Sequence, residues 1–202
     1  MTKSEEIFLN SEHAIDFSKK YCNYITELLS NLDHVTISKI INLFLEAERN
    51  NKHIYFIGNG GSAAISTHFA CDLGKGTKTQ LNKFRTQALA DNLSTFTAYA
   101  NDHGYEHVFS KQLENVLERG DIVVCISSSG NSKNLITAVE YIKSVGAKSV
   151  SILGFDGGKL KEISDVSLVV NTPPGEYGPV ESIHEIINHL VCSYIYFKLQ
   201  NL

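Results

Sequence analysis

The chain has 202 residues, of which 43% are apolar and 20% are charged, and its formal net charge is −4. These values suit one globular domain with a sizeable core. The sequence contains no basic block and its longest apolar stretches fall short of a membrane span, so we expect no nucleic-acid or membrane partner. The N-terminus is too polar for a signal peptide, and four widely spaced cysteines are typical of reduced, mostly buried thiols. We therefore expect a cytoplasmic protein.

The first fifty residues carry two apolar stripes with helical spacing. The second stripe recurs at i, i+3, i+4, i+7 and i+8, which is typical of an amphipathic helix. The stripes are Ile15, Tyr21, Ile25, Leu28 and Leu29, then Ile37, Ile40, Ile41, Phe44 and Leu45. They have no obvious partner inside a compact α/β domain. We therefore predict that residues 1–50 form a helical oligomerisation segment that packs between subunits.

After residue 50, short β-rich runs alternate with helical patterns. We predict strands at 53–57, 86–90, 122–126, 148–153 and 166–170. Helices should end near Leu73 and Ser144, and a last helix should span about Val180 to Leu199. Apolar strands that alternate with helices indicate a parallel sheet covered on both faces. The fold class is therefore α/β, with a doubly wound parallel sheet of about five strands in a single domain, residues 1–202.

A glycine-rich loop follows the first predicted strand: Gly58, Asn59, Gly60, Gly61 and Ser62. Glycines let a backbone approach a ligand closely, and the helix that follows offers free N–H groups to an anion. The alternative is a tight turn capped by Ser62. The loop lacks the Lys-Ser/Thr ending of a Walker A loop and the G-x-G-x-x-G spacing, so we expect no nucleotide cofactor.

A serine-rich loop follows the predicted strand 122–126. Its hydroxyls are those of Ser127, Ser128, Ser129 and Ser132, and Gly130 permits a tight turn. Phosphate oxygens accept hydrogen bonds from such hydroxyls and from nearby amides. A helix cap explains one or two of these serines but not easily all four. The loop therefore predicts a site for a phosphate group.

Together, these motifs resemble the sugar isomerase (SIS) domain, and more narrowly the phosphoheptose isomerases. The resemblance runs from about residue 35 to the C-terminus and includes both loops, Thr67 to Ala70, and His184 and His189 in the last helix. It also includes Asn101 and Asp102, which we add to the substrate-binding candidates. The resemblance implies a homotetramer with active sites at subunit interfaces and a sugar phosphate as the small-molecule substrate.

The same resemblance implies a set of catalytic and metal-binding positions. In these isomerases, one helix supplies a His and a Glu four residues later, and the last helix supplies a Gln and a His eight residues later. The matching positions are His68, Asp72, Glu181 and His189. Two match, whereas Asp72 replaces a Glu and Glu181 replaces a Gln. We predict Asp72 and His189 as the acid–base pair, and His68 and Glu181 as orienting groups or metal ligands. The four positions together are a candidate ligand set for one zinc ion per subunit, and Glu181 is also a substrate-binding candidate.

Three functions remain open from the sequence. The first is a ketose–aldose isomerase that converts sedoheptulose 7-phosphate to D-glycero-D-manno-heptose 7-phosphate for surface-polysaccharide synthesis. The second keeps the site but acts on a different sugar phosphate, and the departures at Asp72 and Glu181 motivate it. The third is a non-catalytic SIS scaffold that regulates a partner. Asp72 and His189 count against the third, because such a scaffold does not need an acid–base pair.

Overall fold

The computed structural model describes residues 1–200 and begins with three helices. They are α1 (Lys3–Leu9), α2 (Ala14–Ser30) and α3 (His34–Arg49). Thr2 caps α1 in a capping box with Glu5. Asp33 caps α3 by accepting hydrogen bonds from the backbone N–H groups of Val35 and Thr36. These caps satisfy N–H groups that have no partner within the helix, which fixes where each helix begins.

Five parallel strands form one sheet, as predicted. They are β1 (His53–Gly58), β2 (Arg85–Ala88), β3 (Ile122–Ser127), β4 (Lys148–Phe155) and β5 (Val166–Asn171). Their order across the sheet is β2-β1-β3-β4-β5. After β1, the chain forms β2 at one edge of the sheet and then crosses back, so that β3 pairs with the opposite side of β1. Ligands of open α/β sheets bind at such a switch point, beyond the carboxyl ends of the strands.

Helices cover both faces of the sheet. They are α4 (Gly61–Cys71), α5 (Leu93–His103), α6 (Val108–Val116), α7 (Lys133–Val145), α8 (Gly158–Ile163) and α9 (Tyr177–Gln200). A π-helical turn, Asp72–Gly76, follows α4 directly. The predicted helix to Leu73 therefore changes its winding at Asp72. Such π turns often occur at functional sites, because they redirect side chains at the end of a helix.

The sheet separates two apolar cores. Alternate residues of β1 show this: Ile54 and Phe56 face one core with α3, α4 and α9, whereas Tyr55 and Ile57 face the other with α6 and α7. The first core also takes in Leu28 of α2 and the whole predicted stripe of α3. The α3 stripe and the second half of the α2 stripe thus find partners within the chain, which the assembly prediction did not assume, whereas Ile15 of the α2 stripe is exposed. The assembly itself stays a prediction.

The four cysteines agree only partly with the expectation of mostly buried thiols. All four are free, but Cys22 and Cys71 are exposed, whereas Cys125 and Cys192 are buried as expected. Among residues 1–200, every helix is too short or too polar to cross a membrane.

A buried histidine should make folding sensitive to acid. His184 of α9 is fully buried, and burial lowers its pKa from 6.5 to about 4, which the Leu153 carbonyl only partly offsets. Because the unfolded chain binds this proton at a higher pH, stability should fall as the pH drops from 6.5 to 4. The loss should total roughly 3 kcal/mol, at about 1.4 kcal/mol per pH unit.

Urea unfolding of the wild type and of His184→Gln at several pH values between 4 and 8 would measure this effect. The free energy of unfolding of the wild type should fall more steeply below pH 6.5 than that of the variant. Parallel pH profiles would contradict the assignment, because the carboxylates that titrate in this range are common to both proteins.

Candidate functional site

The glycine-rich and serine-rich loops lie side by side at the switch point. In the sheet register, Gly58 at the end of β1 pairs with Ile126, one residue before the end of β3. Asn59 joins the glycine-rich loop to the start of α7, directly after the serine-rich loop, because its side-chain amide exchanges hydrogen bonds of 3.0 and 2.8 Å with that of Asn134. Tyr105 also donates its hydroxyl to Asn59 Oδ1 at 2.8 Å. Asn59 therefore fixes the glycine-rich loop to α7 in this structure.

Two of the four serine hydroxyls accept hydrogen bonds within the serine loop, and each keeps its O–H proton free to donate to a phosphate oxygen. Ser127 Oγ accepts from the Gly130 N–H at 3.1 Å, and Ser129 Oγ accepts from the Asn131 N–H at 3.3 Å. Ser128 Oγ is buried and has no hydrogen-bond partner within residues 1–200. Ser132 begins α7 without a side-chain cap. A buried hydroxyl without a partner is costly, so Ser128 suits a site that a polar ligand completes.

The serine loop is held in place from below by the turn before α8. Gly130 has a φ of +64°, and a Cβ on it would collide with the Gly157 carbonyl oxygen. The Leu160 N–H donates to the Gly130 carbonyl at 2.9 Å, and the Lys159 N–H donates to Asn131 Oδ1 at the same distance. Position 130 therefore requires glycine, both for its backbone angle and for the close approach of the two loops.

Helices α4 and α9 bring the second part of the site together by running side by side in the same direction. At their start, the Glu181 carboxylate lies 2.5 Å from where a Cβ on Gly61 would be. Two turns along α4, His68 contacts Glu185. One turn further, Asp72 lies opposite His189. A glycine at position 61 thus leaves room for the carboxylate at the α4 N-terminus, where the helix dipole favours negative charge.

Two imidazoles and two carboxylates meet at the end of this helix pair. His68 Nε2 lies 3.2 Å from Asp72 Oδ2, and His189 Nε2 lies 3.7 Å from the same oxygen. The His68 and His189 rings meet edge to face, with their centroids 5.2 Å apart. His189 Nε2 is also 3.3 Å from Glu185 Oε1. The two imidazoles are about half exposed, so a ligand can reach them from solvent.

A buried amide holds both carboxylates from beneath. Asn188 Nδ2 donates to Asp72 Oδ2 at 3.1 Å and lies 3.4 Å from Glu185 Oε1. Its own Oδ1 accepts from the Cys192 thiol at 3.4 Å. Burial, together with Asp72 and Glu185, raises the pKa of the Cys192 thiol, so this thiol stays protonated and acts as a donor. The network fixes Asp72 before any ligand arrives.

Three of the four predicted metal ligands form a compact donor set. One ligand atom each from His68, Asp72 and His189 lies within 4.8 Å of the others. Two imidazole nitrogens and a carboxylate oxygen fit the preferences of zinc and leave a position open for substrate. Glu181, the fourth predicted ligand, contacts the α4 N-terminus instead, and its role as a ligand stays a prediction. This part of the chain could therefore hold a metal ion.

Other residues of the site were missed, or lie at its edge. Asn101 and Asp102 are exposed at the end of α5, where Asn101 Nδ2 donates to Asp102 Oδ1 at 2.9 Å. Their binding role stays a prediction. Glu185 and Asn188 were not predicted, although Glu185 lies four residues before His189 and so shares its helix face. That spacing was the signal that could have found Glu185.

Comparison with known proteins identifies the family of this chain. The SIS domain family model matches residues 20–154. A phosphoheptose isomerase of a Nitratiruptor species is 38% identical over 162 residues, which cover 80% of this chain and 84% of the relative. The chain belongs to the phosphoheptose isomerase family. Another member, from Helicobacter pylori strain Shi470, is 38% identical over 155 residues, 77% of this chain and 80% of that protein.

Solved structures of phosphoheptose isomerases share most of this fold. That of the Neisseria gonorrhoeae enzyme superposes with a TM-score of 0.78 at 31% identity and covers 90% of this chain and 95% of its own. The structure of the Francisella tularensis enzyme superposes with a TM-score of 0.81 and covers 91% of this chain and 98% of its own. Because its identity is 24%, this match supports the fold alone. A coverage of 90% cannot be reached from residue 35 onward alone, so the shared fold extends into the N-terminal helices.

Proposed function

We propose that this phosphosugar isomerase interconverts sedoheptulose 7-phosphate and D-glycero-D-manno-heptose 7-phosphate, in heptose synthesis for a surface polysaccharide. One observation carries the proposal. His68, Asp72 and His189 converge on α4 and α9, and α4 itself begins at the glycine loop next to the serine loop. Seven residues of helix separate Gly61 from His68, a rise of about 10 Å. An extended sugar chain can therefore place its phosphate at the loops and its carbonyl end at the cluster.

In this proposal, the serine loop binds the phosphate and the glycine loop contacts the sugar. The unpartnered hydroxyl of Ser128 and the uncapped start of α7 at Ser132 support the first assignment. Gly60, at a φ of +55°, and Gly61 expose the start of α4, where N–H groups favour a phosphate or hydroxyl oxygen. Neutral donors of this kind hold a phosphate monoester without lysine or arginine.

Asp72 and His189 act as the acid–base pair in this mechanism. Isomerisation removes a proton from C1 of the ketose and adds one to C2 through an enediol, while a second proton moves between O1 and O2. The two groups lie on different helices and face one another across 3.7 Å, so they can serve the carbon and oxygen atoms of one substrate. Asn188 keeps the Asp72 carboxylate in place with a hydrogen bond of 3.1 Å.

We further propose that the metal is zinc, one ion per subunit, held by His68, Asp72 and His189, with Glu181 as a further candidate ligand. A zinc ion would supply Lewis-acid polarisation of substrate oxygens. The donor set of two imidazoles and a carboxylate supports this choice. We also propose a cytoplasmic homotetramer with the active sites at subunit boundaries. Exposed apolar residues at the N-terminal helices, Phe8, Leu9 and Ile15, support an interface there.

Proton exchange with D₂O tests the function and the substrate together. The wild type would be incubated with a panel of ketose phosphates of five to seven carbons, and deuterium at C1 or C2 would be recorded by NMR. We expect exchange to be fastest with sedoheptulose 7-phosphate. Exchange with none of the sugars would contradict the isomerase, and preference for another sugar would contradict the heptose assignment.

A different sugar phosphate is the second candidate, because Asp72 is one methylene shorter than the glutamate that the resemblance implies, and Glu181 is charged where an amide is expected. An Asp72→Glu variant separates the two candidates. Higher activity of this variant on sedoheptulose 7-phosphate would favour a substrate adaptation. Lower activity would favour sedoheptulose 7-phosphate as the native substrate.

Removing two loop hydroxyls should weaken substrate binding without unfolding the chain. Each neutral hydrogen bond contributes roughly 0.5–1.5 kcal/mol, so Ser128→Ala with Ser129→Ala should lower substrate affinity about 5- to 150-fold. Calorimetric titration with the sugar phosphate would measure it, with Ser144→Ala on the exposed face of α7 as the control. Unchanged affinity in the double variant would mean that the loop is only a helix start.

A further inference from the structure

Glu185 has a position that the proposed reaction does not explain. It lies on α9, one turn before His189, and contacts both imidazoles through the same oxygen, Oε1. Its side chain is 29% exposed, the same as that of Asp72, whereas those of His68 and His189 are 47% and 54% exposed. Both carboxylates therefore lie deeper than the rings that they contact. Its partial burial and its contacts with both imidazoles distinguish Glu185 from a fully solvated surface carboxylate.

The two nitrogens of His68 face different carboxylates. Nδ1 contacts Glu185, whereas Nε2 faces Asp72, the carboxylate that shares the compact donor set with His68 and His189. A neutral imidazole carries one proton, and the hydrogen bond at one nitrogen decides which nitrogen keeps a free lone pair. A proton held on Nδ1 by Glu185 leaves the lone pair of Nε2 directed at Asp72 and His189. Carboxylates beyond the metal ligands orient histidines in this way.

The neighbouring residues of α9 keep Glu185 in place for this role. Asn188 Nδ2 lies 3.4 Å from Glu185 Oε1, and Asn188 is itself fully buried. Positions 185, 188, 189 and 192 recur at i, i+3, i+4 and i+7, so Glu185, Asn188, His189 and Cys192 share one face of the helix. The carboxylate is thus anchored before a metal or substrate arrives.

We propose that Glu185 is a positioning residue that holds the proton of His68 on Nδ1 and so makes Nε2 the metal-binding atom. This inference rests on the metal site of the proposed function, but not on the identity of the sugar. Glu185 would act through His68 and would not itself bind the metal. Loss of such an outer carboxylate typically lowers metal affinity 10- to 100-fold.

Zinc affinity of the full-length protein tests the inference without any sugar. Metal-free wild type, Glu185→Gln and Glu185→Ala would be titrated with zinc against a competing chelator. Glu185→Ala should lose about 10- to 100-fold in affinity. Glu185→Gln should lose clearly less, because its amide oxygen still accepts a hydrogen bond from Nδ1. The control is Glu140→Ala, which removes a carboxylate from the exposed face of α7 and should change affinity less than twofold.

A spectroscopic measurement separates positioning from a merely structural role. Long-range ¹H–¹⁵N NMR of histidine-labelled, zinc-loaded wild type should show His68 bound through Nε2 and protonated at Nδ1. Binding through Nδ1 would overturn the proposal. So would wild-type zinc affinity in Glu185→Ala, equal losses in the Gln and Ala variants, or no zinc binding by the wild type. None of these results bears on the isomerase function, which the sugar-phosphate panel tests separately.

Discussion

His189→Asn should turn over its sugar phosphate about 10²–10⁴-fold more slowly than the wild type, because proton transfer by a positioned group contributes a factor of that size. His189 Nε2 faces Asp72 at 3.7 Å and is half exposed, so the imidazole is available to a bound sugar. Asparagine keeps a polar side chain of similar reach but cannot exchange a proton near neutral pH. Substrate affinity should change little, because the loops that we propose to bind the phosphate do not include His189.

Steady-state kinetics of isomerisation would show this as a loss in kcat with a small change in KM. The matched control is His34→Asn, which changes an exposed histidine at the start of α3 and should retain wild-type kinetics. A kcat within threefold of the wild type would remove His189 from the chemistry. An equal loss in the control would point to a general effect of losing a histidine.

Asp72→Asn should cause a loss of the same order, about 10²–10⁴-fold in turnover. Asparagine keeps the shape of the side chain and can still accept the hydrogen bond from Asn188, but it cannot take a proton from carbon. It also removes the carboxylate that faces both His68 and His189, so zinc content should fall as well. Metal analysis beside the kinetics distinguishes the two losses.

The exposed Glu140→Gln variant is the control for Asp72→Asn, because it also converts one carboxylate to an amide. The double variant Asp72→Asn with His189→Asn should be little slower than either single variant, since residues that act as a unit are strongly non-additive. Turnover near the wild-type value in Asp72→Asn would show that the proposed mechanism is wrong. Fully additive losses would show that the two groups act independently.

The fold was predictable because its signals are local. All five predicted strands are present, and their bounds differ by one or two residues, because each apolar run ends at a turn or loop. The burial of the α3 stripe was not predictable in the same way. Ile40 and Phe44 lie on one apolar face of the helix, and the same pattern is expected whether that face packs against the chain's own core or against another subunit. Only the tertiary structure shows that the partner is the sheet.

The site was predictable where its residues share one helix and less so where two helices meet. His68 and Asp72 are four residues apart, and their contact follows from helical spacing. The contact between Glu185 and His68 depends on the alignment of α4 with α9, which no local pattern contains. The same alignment places Glu181 beside Gly61, two turns before His189. Helical spacing puts Glu181 and His189 on one face of α9, but their side chains lie two turns apart. The Glu181 carboxylate lies at Gly61, whereas the His189 imidazole lies near Asp72.

The site of proton transfer is the centre of this account, and one measurement tests it most directly. Sedoheptulose 7-phosphate would be converted in D₂O under single-turnover conditions by the wild type, Asp72→Asn and His189→Asn, and deuterium at C2 of the aldose product would be followed by NMR. The wild type should incorporate deuterium, and both variants should do so at least about 10²-fold more slowly at saturating substrate. Incorporation at the wild-type rate in either variant would contradict the account.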